Sequence, residues 1–149
     1  MAEIHRRRGR IRLHLDAAER QAIGSVIDRL SPLLGQVPRT RPVAYAEPGM
    51  QREYERWVRP DVERGRDADL AVIRDCVAAG EDLSPLTEAQ ALAWVRGLNH
   101  LRLVAGGLLG IEEDGWYAQA SKAEQRTAEY GILMALGMLQ EEMVAALEG

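Results

Sequence analysis

The sequence is poor in several residue types, and each shortage restricts what the protein can be. It has no phenylalanine and one cysteine among 149 residues, so Leu, Val, Ile, Met and three tryptophans must fill its core. A single cysteine, Cys76, cannot form an internal disulfide, which is typical of a reducing compartment. No apolar run reaches the ~18 residues that span a bilayer, and no signal-peptide pattern follows the first residues. We therefore expect a cytoplasmic protein without a membrane segment.

The composition is that of one folded domain with an uneven distribution of charge. With 46% hydrophobic and 28% charged residues the chain can bury one core, and no repeat or linker divides it. The formal net charge is −4, but residues 1–15 contain five arginines and one glutamate, so the remainder is about −8 by subtraction. We therefore predict a single domain, residues 1–149, with a cationic start on an acidic body.

The first residues have the pattern of a β-hairpin over about 4–15. Arg8-Gly9 can form a two-residue turn, and apolar and polar residues alternate after it. That turn fixes a register with four pairs: Ile4 with Leu13, His5 with Arg12, Arg6 with Ile11, and Arg7 with Arg10. One face then holds Ile4, Ile11 and Leu13. Because a two-stranded hairpin is marginally stable alone, this apolar face must pack on the helices.

The rest of the chain has apolar residues at helical spacing, which predicts a mainly α fold, a helical bundle of about five helices over 17–147. Asp16 with Glu19 and Thr87 with Gln90 have the spacing of capping boxes. The predicted helices are 17–34 with a bend at Pro32, 50–58, 60–79 with a break at Gly65, 87–109, and 122–147. Residues 35–49 and an acidic turn at 112–114 are predicted loops.

The helix over 87–109 is apolar on nearly all sides, which predicts a position at the centre of the bundle. Arg102 lies within it and needs a partner, for which we expect a carboxylate on a neighbouring helix. The structural interpretation is a buried salt bridge. The functional alternative is that Arg102, together with Asn99 and Trp94, organises a binding cleft.

The last predicted helix, 122–147, has two adjoining apolar stripes, which is wider than one packing face requires. Both stripes can belong to the core. Alternatively, one of them forms the seam of a homodimer through this C-terminal helix.

No pattern of catalytic or metal-binding residues is present. The histidines at positions 5, 14 and 100 are dispersed and lack metal-ligand spacing. There is no phosphate-binding glycine loop and no serine in a nucleophile elbow. We therefore expect a non-enzymatic binding protein with no catalytic residue, cofactor or metal.

The predicted hairpin is the first candidate interaction site, through Arg7, Arg10, Arg12 and His5. Like charges that face each other across two strands destabilise a hairpin by up to ~1 kcal/mol per pair, so an anionic group should relieve them. That group is the acidic body of the chain or solvent ions, an acidic protein partner, or nucleic acid. The acidic remainder of the chain would oppose a phosphate backbone, so direct DNA binding is the weakest of the three.

Cys76 is the candidate redox residue. A cysteine in this helical context is either a small buried hydrophobe or a reactive thiol, and Arg74 and Asp75 would shift the pKa of an exposed thiol in opposite directions. Both interpretations stay open at the level of sequence.

The run AWVRGLNHLRLVAGGLLGI, residues 93–111, resembles the signature of a small actinobacterial domain-of-unknown-function family. The matching residues are Trp94, Leu98, Asn99, Leu101, Arg102 and Leu103. The similarity covers most of the chain, including the segment that ends at Leu15-Asp16, the region from Arg52 to Asp69, and a terminal helix with Leu139-Gln140.

Some members of that family are AosR-type oxidative-stress transcriptional regulators, which act with an alternative sigma factor after a thiol pair forms a disulfide. The resemblance implies a regulator that binds a sigma factor or RNA polymerase through protein contacts. With Cys76 alone, an internal disulfide switch cannot operate, so sensing would be intermolecular or absent. A protease-adaptor gene accompanies the family, so an adaptor or scaffold in protein turnover is the alternative, beside a domain without a redox role.

Overall fold

A computed structural model of the protein describes residues 3–35, 43–108 and 128–149. Within these ranges a two-stranded hairpin, β1 (Glu3–Arg7) and β2 (Arg10–His14), precedes five α-helices. The helices are α1 (Ala17–Leu30), α2 (Pro48–Trp57), α3 (Arg59–Ala79), α4 (Glu88–Leu108) and α5 (Ala128–Glu148). Short 3₁₀ segments, Ser31–Leu33 and Gly80–Asp82, follow α1 and α3. The predicted fold class, a helical bundle with an N-terminal β-hairpin, is confirmed.

The hairpin has the predicted register, with Arg7 opposite Arg10 and Ile4 opposite Leu13. Arg8 and Gly9 have φ angles of 52° and 75°, as a type I′ turn requires. On the apolar face, Ile11 and Leu13 are buried. The backbone of Ile11 also exchanges two hydrogen bonds with Leu86, at N···O distances of 3.0 and 2.7 Å. The hairpin is therefore fixed to the segment that leads into α4.

The core is organised around α4, which packs mainly against α5 and α3. Its fully buried side chains include Trp94, Leu98, Leu101 and Val104. The prediction of a helix buried on all sides was too broad, because Leu92 is 40% exposed and Arg96 and Asn99 are exposed on the same side. These three residues are spaced i, i+4 and i+7, so one stripe of the N-terminal half of α4 faces solvent.

Both predicted capping boxes are present. At the start of α1, the Glu19 amide donates to Asp16 Oδ1 over 2.8 Å and the Asp16 amide donates to Glu19 Oε1 over 3.1 Å. Thr87 and Gln90 exchange the equivalent hydrogen bonds before α4. The helix predicted to reach residue 34 ends at Leu30, and Pro32 lies in the following 3₁₀ turn.

The break predicted at Gly65 was wrong, because α3 runs without interruption from Arg59 to Ala79. A glycine in a helix interior costs only about 1 kcal/mol relative to alanine. The packing of α3 on α1, α2 and α4 outweighs that cost. Pro60 is in the first turn of α3, and Gly80 ends the helix with a φ of 61°.

The helices α3 and α4 lie close together at a glycine that the sequence pattern did not single out. A Cβ atom at Gly97 of α4 would lie 2.6 Å from Cδ1 of Ile73 and 3.5 Å from the backbone oxygen of Asp69, both on α3. A side chain at position 97 would therefore require the fully buried Ile73 side chain to move.

The last helix is described from Ala128, so the predicted start at residue 122 lies outside the described residues. The same holds for the predicted helix end at 109–110, the acidic turn at 112–114 and the proline-containing stretch 36–42. By length and composition, Tyr130–Glu148 of α5 could cross a membrane, with a mean hydropathy of 1.2 and 22% of the window buried. The core helix of a soluble protein meets the same criterion, and α5 packs along α4.

Candidate interaction surfaces

Four arginines at the turn and on one face of the hairpin form what we call the arginine surface: Arg7, Arg8, Arg10 and Arg12. All four are exposed, and with Pro85 they surround a shallow cavity of about 360 Å³. Arg7 lies opposite Arg10, and His5 lies opposite Arg12. In the part of the chain that the structure describes, none of the four forms an ion pair with a carboxylate. The arginine surface therefore presents concentrated positive charge to solvent.

Arg6 differs from its neighbours because it lies on the apolar face of the hairpin, opposite Ile11. Its Nη1 donates a hydrogen bond to the backbone oxygen of Leu147, in the last turn of α5. A cation at a helix C-terminus interacts favourably with the helix dipole and with a carbonyl that has no partner within the helix. Arg6 thus helps to hold the hairpin on the bundle. It faces away from the arginine surface.

Among the signature residues, Trp94 is fully buried in the core, whereas Asn99 is exposed. Arg102 is half-buried and contacts α5, where its Nη1 donates to Oε1 of Gln140. Nε2 of Gln140 then donates to the backbone oxygen of Val95 over 3.1 Å. The prediction of a carboxylate partner was therefore wrong for the described residues. A neutral amide accepts from the guanidinium instead, and it costs less to bury than a second charge.

Cys76 is buried against the core, with 5% of its surface exposed. Burial raises the pKa of its thiol, the nearby Asp75 carboxylate acts in the same direction, and the Trp94 side chain opposes them. A buried thiol with a raised pKa has little thiolate at neutral pH, and thiolate is the reactive form. In this environment Cys76 acts as a small apolar side chain.

An ion cluster between α3 and α4 was not predicted. The Asp69 carboxylate is buried, and Arg96 donates to it through Nε, at 3.1 and 3.2 Å, and through Nη2, at 3.0 Å. His100 Nε2 lies 3.4 Å from the same carboxylate. Burial nevertheless lowers the pKa of His100 below its usual 6.5. The i, i+4 spacing of Arg96 and His100 is visible in the sequence, but their shared partner is 27 or more positions away.

A surface on α2 was not predicted either, and we call it the acidic aromatic cleft. It is an open cavity of about 430 Å³ with aromatic, apolar and acidic walls. The cleft is lined by Tyr45, Glu47, Met50, Glu53, Tyr54, Trp57 and Val58. Met50, Tyr54, Trp57 and Val58 are spaced i, i+4, i+7 and i+8, so the sequence does contain a helical stripe. Its residues resemble a core face, which is why exposure could not be anticipated.

A groove also lies between α1 and α5, with a volume of about 260 Å³. Its walls are mainly apolar and include Ile23, Met138 and Leu139, and Glu19 and Glu142 also line it. Met138 is 54% exposed. Part of the apolar surface of α5 therefore lies outside the core. The interpretation of the wide apolar surface as a homodimer seam requires such an exposed part.

Within residues 3–35, 43–108 and 128–149, no group of three or more His, Cys, Asp or Glu side chains is placed to hold a metal ion. The described surfaces instead combine an arginine-rich hairpin, an aromatic cleft and an apolar groove on a helical bundle.

The chain belongs to the family described as Domain of unknown function (DUF2017), which matches residues 1–147. The expectation of a domain-of-unknown-function family is therefore confirmed. No curated protein and no solved structure matches the chain.

Proposed function

We propose that the protein is a cytoplasmic, non-enzymatic regulatory protein that binds an acidic surface of a protein partner through its arginine surface. The observation that carries this proposal is the exposed set of four arginines without carboxylate partners in the described chain. A partner that supplies carboxylates would relieve the repulsion between Arg7 and Arg10, which face each other across the two strands.

The geometry of the hairpin supports a docking role. The type I′ turn, the Ile11–Leu86 hydrogen bonds and the Arg6 contact with α5 fix the ribbon on the bundle. A fixed ribbon loses little conformational freedom on binding, and so more of the electrostatic attraction is available for affinity. The acidic remainder of the chain favours a protein over nucleic acid, whose phosphates it would repel.

For the partner itself, we propose the transcription machinery, a sigma factor or RNA polymerase. The support is the resemblance of the 93–111 signature to a family that includes AosR-type oxidative-stress regulators. The burial of Cys76 favours regulation by contact alone and disfavours a thiol switch in this chain. An adaptor in protein turnover is the alternative that the same family resemblance offers.

The proposal is tested by affinity capture with the purified full chain and a variant with Arg7→Ser, Arg10→Ser and Arg12→Ser. Three exposed charges at ~0.2–1 kcal/mol each predict roughly threefold to hundredfold weaker capture, with a similar weakening of the wild type at high salt. A matched control carries Arg52→Ser, Arg64→Ser and Arg74→Ser, which remove three exposed charges from the helices. The control should capture the partner as the wild type does.

Recovery of a sigma factor or RNA polymerase subunits would support the transcriptional proposal, and recovery of protease components would support the alternative. Equal capture by the hairpin variant, with an unchanged circular dichroism spectrum, would exclude the arginine surface as the docking site. Tight binding of the chain to duplex DNA in a parallel titration would contradict a mechanism based on protein contacts.

A further inference from the structure

The acidic aromatic cleft on α2 is a surface of opposite charge to the arginine surface, and the proposed function does not use it. We propose that it binds a flexible, arginine-bearing segment of a second protein.

The cleft is preformed by a network of hydrogen bonds. Gln51 Oε1 accepts from the backbone amides of Ala44 and Tyr45, over 3.0 and 2.9 Å, and so holds the preceding segment against α2. The rings of Tyr45 and Tyr54 then meet edge to face, with centroids 6.2 Å apart. A ligand that enters the cleft finds its aromatic walls already in place, which reduces the entropy lost on binding.

Large apolar side chains are exposed around this cleft to an unusual degree. Of the nine that are exposed in the described residues, six lie between residues 43 and 62. Trp57 alone is 61% exposed, and α2 contains no buried residue. Exposed apolar surface of this density marks an interaction site more often than a free surface. It extends from Val43 to Val62, beyond the cleft, so the occupant is a chain and not a small molecule.

The charge of the cleft selects the chemistry of the occupant. Glu47 and Glu53 both line it. The amides of Gly49 and Met50 donate to Glu47 and lower the pKa of its carboxyl, which keeps it ionised. Glu53 Oε2 accepts from the Trp57 indole N–H over 2.8 Å, which places a carboxylate beside that ring. A cationic side chain can therefore meet a carboxylate and an aromatic ring together.

The molecule itself shows that these rings accept guanidinium groups. Arg56 lies over the Trp57 ring at 4.7 Å, and the buried Arg59 lies over the Tyr54 ring at 4.9 Å. Guanidinium binds such rings more readily than ammonium does, because it is planar and weakly hydrated. The complementary partner is thus an extended segment in which arginine alternates with apolar residues or proline, the kind of segment that aromatic grooves bind.

The test uses the full chain and a synthetic peptide in which arginine alternates with leucine and proline, beside a peptide with glutamate in place of arginine. Calorimetric titration should show binding of the first peptide only, and the indole N–H resonance of Trp57 should shift. Trp57→Ala should weaken binding about fivefold to thirtyfold. Glu53→Gln, which can still accept from the indole, should weaken it about threefold.

Two matched controls lie on α5, where Met138→Ala and Glu142→Gln change exposed residues of another groove and should leave peptide binding unchanged. The variant with Arg7→Ser, Arg10→Ser and Arg12→Ser should also bind the peptide normally, which separates this proposal from the proposed function. Equal affinity for both peptides, or an affinity for free arginine amide equal to that for the arginine peptide, would overturn the proposal. Sedimentation showing self-association that Trp57→Ala abolishes would overturn it too, because a second copy would then fill the cleft.

Discussion

Cys76 is the residue on which any redox function of this chain depends, since it is the only cysteine. Its surface is 5% exposed and burial raises the pKa of its thiol. We therefore expect alkylation of the native protein at pH 7 to be at least about tenfold slower than in denaturant. Mass spectrometry of timed aliquots measures this ratio. Rapid native labelling, or a dimer band on a non-reducing gel after peroxide treatment, would restore intermolecular sensing as a mechanism.

His100 provides a pH dependence whose sign follows from its environment. Burial lowers its folded-state pKa below 6.5 in spite of the Asp69 carboxylate, and Arg66 and Arg96 act in the same direction as burial. The unfolded chain therefore binds the proton more tightly than the folded chain. This contribution to stability is complete above pH 6.5 and is lost as the pH falls through the lower, folded-state pKa.

Denaturant titrations at a series of pH values from 7.5 to 5 measure this effect. The free energy of unfolding of the wild type should decrease towards pH 5, and His100→Gln should make that decrease smaller. His14→Gln, at an exposed position of β2, is the control and should keep the wild-type slope. Parallel profiles for the wild type and His100→Gln would show that His100 is not the titrating group.

At the scale of elements, the contact between α3 and α4 depends on a missing side chain. Gly97→Ala would place a Cβ atom 2.6 Å from Ile73 Cδ1, so we expect a loss of about 1–3 kcal/mol from the free energy of unfolding. Gly65→Ala is the matched control, since nothing lies within 4 Å of a Cβ atom there, and it should add up to about 1 kcal/mol. Urea denaturation of both variants measures the two values. A Gly97→Ala variant as stable as the wild type would contradict this, because it would mean that moving the Ile73 side chain costs no more than the helix-propensity gain from alanine.

The same elements show which parts of the fold local sequence can predict. The hairpin register followed from the Arg8-Gly9 turn, and both capping boxes followed from a spacing of three residues. Gly65 was misread as a break because its local propensity is outweighed by contacts of α3 that are distant in sequence. Contacts at the candidate sites could not be predicted for the same reason, because they join residues that are far apart in the sequence. The Gln140 partner of Arg102 and the Asp69 cluster join residues 27 to 38 positions apart, and no local pattern specifies such pairs.

At the scale of the whole molecule, two surfaces of opposite charge occupy different elements. The arginine surface lies on the hairpin, which packs on α5 and α4, whereas the acidic aromatic cleft lies on α2, which packs mainly on α3. The acidic partner and the arginine-bearing segment that we propose would therefore contact different elements. Binding at one surface should therefore leave the other surface free, and the two should be independent in competition experiments.

The third face of the molecule, the groove between α1 and α5, is the one through which we expect the chain to form homodimers. A second copy packed on this groove would bury Met138 and its apolar neighbours. Each Å² of apolar surface removed from water would favour the dimer by about 25 cal/mol. The mass measured by light scattering should rise towards that of a dimer as concentration increases, and Met138→Glu should keep it monomeric. Met50→Glu is the matched control. Met50 is 51% exposed, close to the 54% of Met138, but it lies in the acidic aromatic cleft on α2 and not in this groove. A monomeric wild type at high concentration, or a dimer that Met50→Glu alone disrupts, would contradict a seam on α5.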